Sequence, residues 1–304
     1  MTITSLTVHD VSKRFGSFAA VDKVSFSLAP GERVALLGHN GAGKTTLFKM
    51  ILGFLPRDNG EISVLDTVPG SDDARLGTAY LPESVAFPTA LTGKEVLSYY
   101  ARLKGQKPKS VMHLLDRVGL ADAAKRRVGT YSKGMRQRLG LAQALIGQPR
   151  LVLLDEPTTG LDPISRQNVY ELIGEIADHG ATVLLSSHAL TELEVRTDRI
   201  LILSKGQLVA DDELAKLRAQ AGLPIRVKIW TRPGAAEQVA EELGNIDRTR
   251  MNGRSLELDC GIDEKVKTLS AISALSHLVE DVDVHAPSLD DVYKHFSQTA
   301  QKEV

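Results

Sequence analysis

The segment Gly38-His39-Asn40-Gly41-Ala42-Gly43-Lys44-Thr45 has the spacing G-x-x-x-x-G-K-[ST], and its residue types suit one task, holding a polyphosphate. Glycines let backbone N–H groups close around phosphate oxygens, Lys44 brings a point charge toward the β- and γ-phosphates, and the Thr45 hydroxyl suits the shell of a Mg²⁺ ion. An acidic pair, Asp155-Glu156, ends the apolar run LVLLDE. Asp155 suits the same Mg²⁺ shell, and Glu156 beside it is placed to take the proton of an attacking water. Together these residues imply hydrolysis of a nucleoside triphosphate. A nucleoside triphosphate and Mg²⁺ are the expected cofactors, Lys44 and Glu156 the first catalytic candidates, and Gly38, Asn40, Gly41, Gly43, Lys44, Thr45 and Thr46 the phosphate-contacting set.

Such a loop works only between a buried strand and a helix, and the flanking sequence supplies both. RVALLG is continuously apolar, and TTLFKMILGFL follows the loop with Leu47, Met50, Ile51 and Phe54 at helical spacing. LVLLDE and TVLLSS repeat the short, wholly apolar pattern of a parallel sheet covered on both faces. Between them, Asp162-Pro163 offers a side-chain cap and a first-turn proline to a helix whose stripe is Leu172, Ile173 and Ile176 and which Gly180 ends. Before RVALLG, the runs LTVHDV and VSFSLA with the turn signal Pro30-Gly31 predict antiparallel strands at the start of the fold.

Residues from about 84 to 130 turn helical. Thr92-x-x-Glu95 is a capping box, and Val111, Leu114, Leu115 and Val118 share one face. After a hairpin, RILILSKGQLVAD, and a polar helix, ELAKLRAQAG, the pattern changes near Leu223. The remainder reads strand, helix, a hairpin around Asn252-Gly253, helix, strand and a last helix, a βαββαβ split motif with a tail. The expected fold is therefore an α/β domain with a mixed sheet and a helical subdomain over 1–220, followed by a small ferredoxin-like α+β domain over 221–304.

Composition narrows the partners. The 304 residues are 42% hydrophobic and 25% charged, as in an ordinary globular protein. Lys+Arg at 37 against Asp+Glu at 38 leaves a net charge of −1, so nothing points to bulk attraction to nucleic acid or anionic lipid, and no nucleic-acid partner is expected. Cys260 is the single cysteine and cannot form an internal disulfide. The N-terminus lacks the apolar stretch of a signal peptide, and every apolar run is far short of the ~20 residues that span a bilayer. A membrane connection is expected only through a partner.

From Leu6 to about Asp211 the sequence resembles the ATP-binding subunits of ABC transporters. The likeness rests on YSKGMRQRLGLAQAL just before LVLLDE, then TTGLDP, then SSH, in the order of that family's signature segment, D-loop and switch histidine. It implies a P-loop NTPase fold of the ABC type. It also implies that Ser132 and Gly134 contact the γ-phosphate held by a second copy, that Asp162 links the two sites, and that His188 contacts the γ-phosphate in its own chain. Phe15 stands where the family places an aromatic that stacks on adenine. Two departures matter: the usual Ser-Gly-Gly-Gln is Ser132-Lys133-Gly134-Met135 here, and the family's Q-loop glutamine aligns with Glu83, a carboxylate expected near the metal.

The resemblance further implies partners: a second copy of the chain and an integral membrane permease docked on the helical subdomain, where Phe87, Pro88, Tyr99 and Tyr100 form either a partner-facing apolar patch or helical core packing. It implies a peripheral place on the cytoplasmic face of the bacterial inner membrane. PESVAF, LTGKEVLSYYARLKG and YSKGMRQRLGLAQAL together resemble, more narrowly, the ATPase subunits of bacterial nitrous oxide reductase maturation transporters. That likeness adds a periplasmic accessory protein and a sulfur species or copper as cargo. The rival readings are a soluble ABC-type ATPase that remodels nucleic acid or ribosomes, and a nucleotide-gated scaffold with weakened catalysis.

Overall fold

The computed structural model describes residues 4–187, 190–244 and 248–302. The chain divides into two compact units, Met1–Asp212 and Glu213–Val304.

The first unit opens with strands β1 (Leu6–Phe15), β2 (Phe18–Leu28) and β3 (Arg33–Leu37), followed by helix α1 (Lys44–Ile51). Then come β4 (Asn59–Val64), α2 (Asp72–Gly77), β5 (Thr78–Leu81), α3 (Gly93–Leu103), α4 (Val111–Arg117) and α5 (Lys133–Ala144). It closes with β6 (Leu151–Asp155), α6 (Pro163–Asp178), β7 (Thr182–Ser186), α7 (Leu190–Leu193), β8 (Arg199–Ser204) and β9 (Gln207–Asp212). Strands β2-β1-β4 form an antiparallel sheet. The larger sheet has the order β5-β6-β7-β3-β8-β9, parallel throughout except for β9.

The parallel strands carry no alternation because both of their faces are covered: every residue of β6 and β7 is buried. Leu36 of β3, Leu47 and Phe48 of α1, Leu153, Leu184 and Leu201 join one apolar cluster with residues of the antiparallel sheet. At about 1.5–3 kcal/mol for each fully buried large side chain, this cluster fixes the loop between β3 and α1 to the sheet beneath it. The register places Leu36 beside Ser186 and Asp155 beside Ser186, so the carboxyl ends of β3, β7 and β6 lie side by side. Loops leaving such ends are where open α/β sheets bind ligands. The helices α3 to α5 form the connection between β5 and β6, which are themselves adjacent and parallel.

One sequence expectation is corrected. Helix α1 stops at Ile51, and Phe54 is 66% exposed rather than part of its apolar stripe. Gly53 turns the chain at φ 73°, and a Cβ there would lie 2.7 Å from the Gly70 backbone, so the helical period does not run on. Of the two readings of the apolar residues near α3, Phe87 follows core packing: it is buried edge-to-face against Tyr100, with ring centroids 6.3 Å apart. Tyr99 and Leu103 are the large exposed apolar residues of α3.

The second unit contains α8 (Leu214–Ala221), β10 (Ile225–Thr231), α9 (Ala236–Glu242), β11 (Arg248–Asn252), β12 (Ser255–Cys260), α10 (Lys265–Ala274), β13 (Val279–His285) and α11 (Leu289–Lys302). Its four strands lie in the antiparallel order β11-β12-β10-β13, with the two helix crossovers of a split βαβ arrangement. Ile225, Val227 and Ile229 alternate inward from β10 onto Val239, Leu256, Leu258 and Ile272. The sequence placed the break at 220/221, whereas the compact units part at 212/213, because the polar helix α8 packs with α11 inside the second unit.

Candidate active site

The loop from Gly38 to Gly43 is shaped by its glycines. Gly43 adopts φ 107°, and a Cβ there would come within 2.4 Å of the Ala20 carbonyl oxygen, so the loop lies directly on β2. Lys44 is buried at the start of α1, and its ammonium donates to the carbonyl of Gly38 and, at 3.4 Å, to that of His39. Burial pulls its pKa down, while the carboxylates of Glu156, Asp155 and Glu83 pull it up. The cation is therefore desolvated and held in the field of three acids.

Thr45 and Asp155 meet across the sheet edge, with the Thr45 hydroxyl donating to Oδ2 of Asp155 at 3.2 Å. The other oxygen, Oδ1, accepts the Ser186 hydroxyl at 2.7 Å. Glu156 follows in a left-handed conformation, φ 51°, that a non-glycine residue adopts only under constraint. The constraint is again Ser186: the Glu156 amide donates to its Oγ at 3.0 Å and to its carbonyl at 3.2 Å. Sequence reasoning passed over Ser186. Its signal was a hydroxyl at the end of an otherwise apolar buried strand.

Lys44, Thr45, Asp155 and Glu156 border one cleft of about 240 Å³. Asn40, Gly41, Gly43, Lys44, Thr45 and Thr46 line its floor, and Asp155, Glu156 and the exposed Glu83 line the far side. Gly38 does not line it and serves instead as the carbonyl acceptor for Lys44. At the mouth stand Phe15, which is 51% exposed, and Phe18, which is 59% exposed and paired with it across the turn from β1 to β2. Two accessible rings beside a phosphate-type loop suit a flat aromatic base. Tyr80, beneath Glu83 and Asp155, has its phenol pushed up to about 12 by burial and by those two carboxylates.

The remaining candidates lie elsewhere. Ser132 caps α5, its Oγ accepting the Met135 amide at 3.2 Å. Asp162 caps α6, accepting the Ser165 amide at 3.0 Å and the Ser165 hydroxyl at 2.6 Å, and the hydroxyl's hydrogen bond holds its carboxyl below the ordinary range. Gly134 faces Leu161, where an added Cβ would lie 3.1 Å from Cδ2. The stem and ammonium of Lys133 lie across Gly160. The cap of α5 and the Gly160–Asp162 segment thus form a second locus that does not line the cleft. His188 lies outside the described residues.

The donor set fits Mg²⁺ with a triphosphate: a hydroxyl and a carboxylate, both hard oxygen donors, converge beside a buried lysine and a loop of backbone amides. Among the described residues there is no cluster of three or more His, Cys, Asp or Glu suited to holding a metal ion, and no helix long and apolar enough to cross a membrane.

A glycine-rich loop between a buried strand and a helix, with an acidic pair ending a strand of the same sheet, defines a P-loop nucleotide-hydrolysing domain. Residues 21–159 match the family described as ABC transporter. The chain is 31% identical over 301 residues to the linearmycin resistance ATP-binding protein LnrL of Bacillus subtilis (strain 168), covering 95% of this chain and 96% of that protein. It is 33% identical to the daunorubicin resistance ATP-binding protein DrrA3 of Streptomyces coeruleorubidus, covering 98% and 97%. A solved structure of an ATP-binding subunit of an ABC transporter matches with a TM-score of 0.68 at 32% identity, covering 72% of this chain and 94% of that one. The chain belongs to the ABC transporter ATP-binding proteins and is an ATP-hydrolysing transport ATPase.

Proposed function

We propose that two copies of this chain pair head to tail, close two Mg²⁺-ATP molecules between the glycine-rich loop of one and the Ser132-Gly134 turn of the other, and drive a separate integral membrane permease. The observation that carries this reading is the separation of the candidate residues into two loci. Lys44, Thr45, Asp155 and Glu156 border the cleft, while Ser132, Gly134 and Asp162 do not. The second set is left to serve nucleotide held by another copy. The subunit would sit on the cytoplasmic face of the bacterial inner membrane, attached through its permease.

In this reading Phe15 offers its ring to adenine, and the amides from Asn40 to Thr46 with Lys44 neutralise the phosphates. Thr45 and Asp155 would hold Mg²⁺, which when bound supplies positive charge to the β- and γ-phosphate oxygens. Glu83 would accept a hydrogen bond from a water of that shell. Glu156 takes a proton from the water attacking the γ-phosphorus, the bond to the leaving ADP oxygen breaks, and phosphate is released. Contacts to the γ-phosphate from both copies exist only in the closed pair, so ATP favours closure and cleavage reverses it. His188 would complete the γ-phosphate contacts in its own chain.

Export is the direction favoured by the two full-length relatives, which are named for resistance to linearmycin and daunorubicin. The segments PESVAF, LTGKEVLSYYARLKG and YSKGMRQRLGLAQAL favour a narrower reading, export of a sulfur species or copper for nitrous oxide reductase copper-centre assembly, with a periplasmic accessory protein as a further partner. Affinity purification from detergent-solubilised host membranes, with and without ATP, tests the proposal. A stoichiometric integral membrane protein is expected, and its identity separates the two cargo readings. Recovery of ribosomes, nucleic acid or soluble factors alone would overturn the transporter reading in favour of a remodelling ATPase.

A further inference from the structure

Tyr170 of α6 is 4% exposed, and no motif claims it. Its hydroxyl lies 3.4 Å from Oγ of Ser187 and within hydrogen-bonding reach of the Thr158 side chain, and both of those residues are buried. The Arg196 guanidinium covers its ring at 5.2 Å from the centroid. Burial raises the phenol's pKa, so at neutral pH the group keeps its proton and offers one donor and one acceptor to two hydroxyl partners.

The positions of those partners make a closed circuit. Thr158 stands two residues after Glu156, in the loop that leads to Asp162. Ser187 follows Ser186, whose Oγ and carbonyl grip the Glu156 amide at 3.0 and 3.2 Å. From Glu156 the circuit runs by hydrogen bond to Ser186, by peptide bond to Ser187, through the Tyr170 hydroxyl to Thr158, and back along the chain through Pro157. Glu156 sits in this ring with φ 51°, a conformation that its own residue type disfavours. Buried polar groups wired in this way fix one arrangement, because breaking any member strands another without water.

We propose that Tyr170 is a positioning residue for hydrolysis, acting through Thr158 and Ser187 to hold the Glu156 peptide in the conformation that aims its carboxylate into the cleft. The inference rests on the reading of Glu156 as the base. It also ties the loop carrying Asp162 to Ser187, just past the end of β7, so that displacement of either strains the other.

The test uses the purified full chain and steady-state ATP hydrolysis of the parent, Tyr170→Phe, Thr158→Val and the double variant. Phenylalanine keeps the ring beneath Arg196 and removes only the hydroxyl. Tyr170→Phe is expected to lower kcat about tenfold with KM for ATP within threefold of the parent, the split of a group that acts on the chemical step rather than on binding. Thr158→Val opens the same ring from its other end, so the double variant should be no slower than the slower single one. A Tyr170→Phe kcat within threefold of the parent, a shift confined to KM, or a double variant whose loss is the product of the single losses would overturn the proposal. If Tyr170→Phe does not fold, the same thresholds apply to Thr158→Val. Glu156→Gln, assayed alongside, separates the two readings: its continued turnover sinks the base, whereas an inactive Glu156→Gln beside a near-parental Tyr170→Phe sinks only the ring.

Discussion

Ser186 donates its hydroxyl to Asp155 at 2.7 Å while receiving the Glu156 amide on the same oxygen at 3.0 Å. One buried serine on the neighbouring parallel strand therefore orients both members of the acidic pair. Its removal should injure metal binding and catalysis together. Ser186→Ala strips a charge-assisted hydrogen bond from a buried carboxylate, a loss of about 1–3 kcal/mol. The expected result is a Mg²⁺ requirement raised about tenfold, with a lower maximal rate. An unchanged Mg²⁺ titration of ATPase activity would show that Thr45 alone suffices to orient Asp155.

Glu156→Gln keeps the size and polarity of the side chain and removes its capacity to accept a proton. It should bind ATP with near-parental affinity, hydrolyse it about 10²–10⁴-fold more slowly, and accumulate as an ATP-bound dimer. Single-turnover kinetics and size-exclusion chromatography read the two effects separately. Turnover at the parental rate rejects Glu156 as the base.

Lys44→Met should uncouple stability from nucleotide binding. The buried ammonium is opposed first by desolvation, and its hydrogen-bonding partners are carbonyl oxygens. An apolar side chain of similar length relieves that burden, so the melting temperature without nucleotide should stay level or rise by a few degrees. The upward shift that ATP gives the parent should vanish. A large fall in melting temperature without nucleotide would mean that the lysine is needed by the fold itself.

Acid sensitivity should depend in part on Asp198, which clamps the start of β3. Its carboxylate receives the Arg33 Nη2 at 2.8 Å and the Arg33 amide at 2.9 Å. The Arg33 hydrogen bond holds its pKa below the ordinary value. A lowered native pKa means that stability is present above the unfolded value, near 4, and is lost as pH falls through the native one. Because the pair is partly exposed, its worth is about 0.5–1 kcal/mol. Asp198→Asn should melt slightly below the parent at pH 7, and the difference should shrink as pH falls below about 4 and through the lowered native value. A constant difference across that range would assign the effect to packing.

The phosphate loop was legible because spacing and context are both local: a strand, six loop residues and a helix leave little other use for Lys44 and Thr45. Asp155 and Glu156 were legible for the same reason. Ser186 was hidden because its importance depends on β6 and β7 being neighbours, with Asp155 and Ser186 in register, a relation between residues 31 apart that no local pattern encodes. Phe54 was misread when a helical period was extended past a glycine that turns the chain. Phe87 stayed undecided between patch and core because the sequence shows that it is apolar but not that the Tyr100 ring covers it. The separation of Ser132 and Asp162 from the cleft is likewise a product of tertiary structure.

The helices α3 to α5 leave the sheet at β5 and return at β6, strands that lie against each other in register from Thr78–Leu151 to Leu81–Leu154. The excursion therefore has its two anchor points a single strand spacing apart. The order of the other strands therefore does not depend on the length of that excursion. That attachment leaves the outward face of the helices able to vary in shape and length without disturbing the strand order of the hydrolytic sheet.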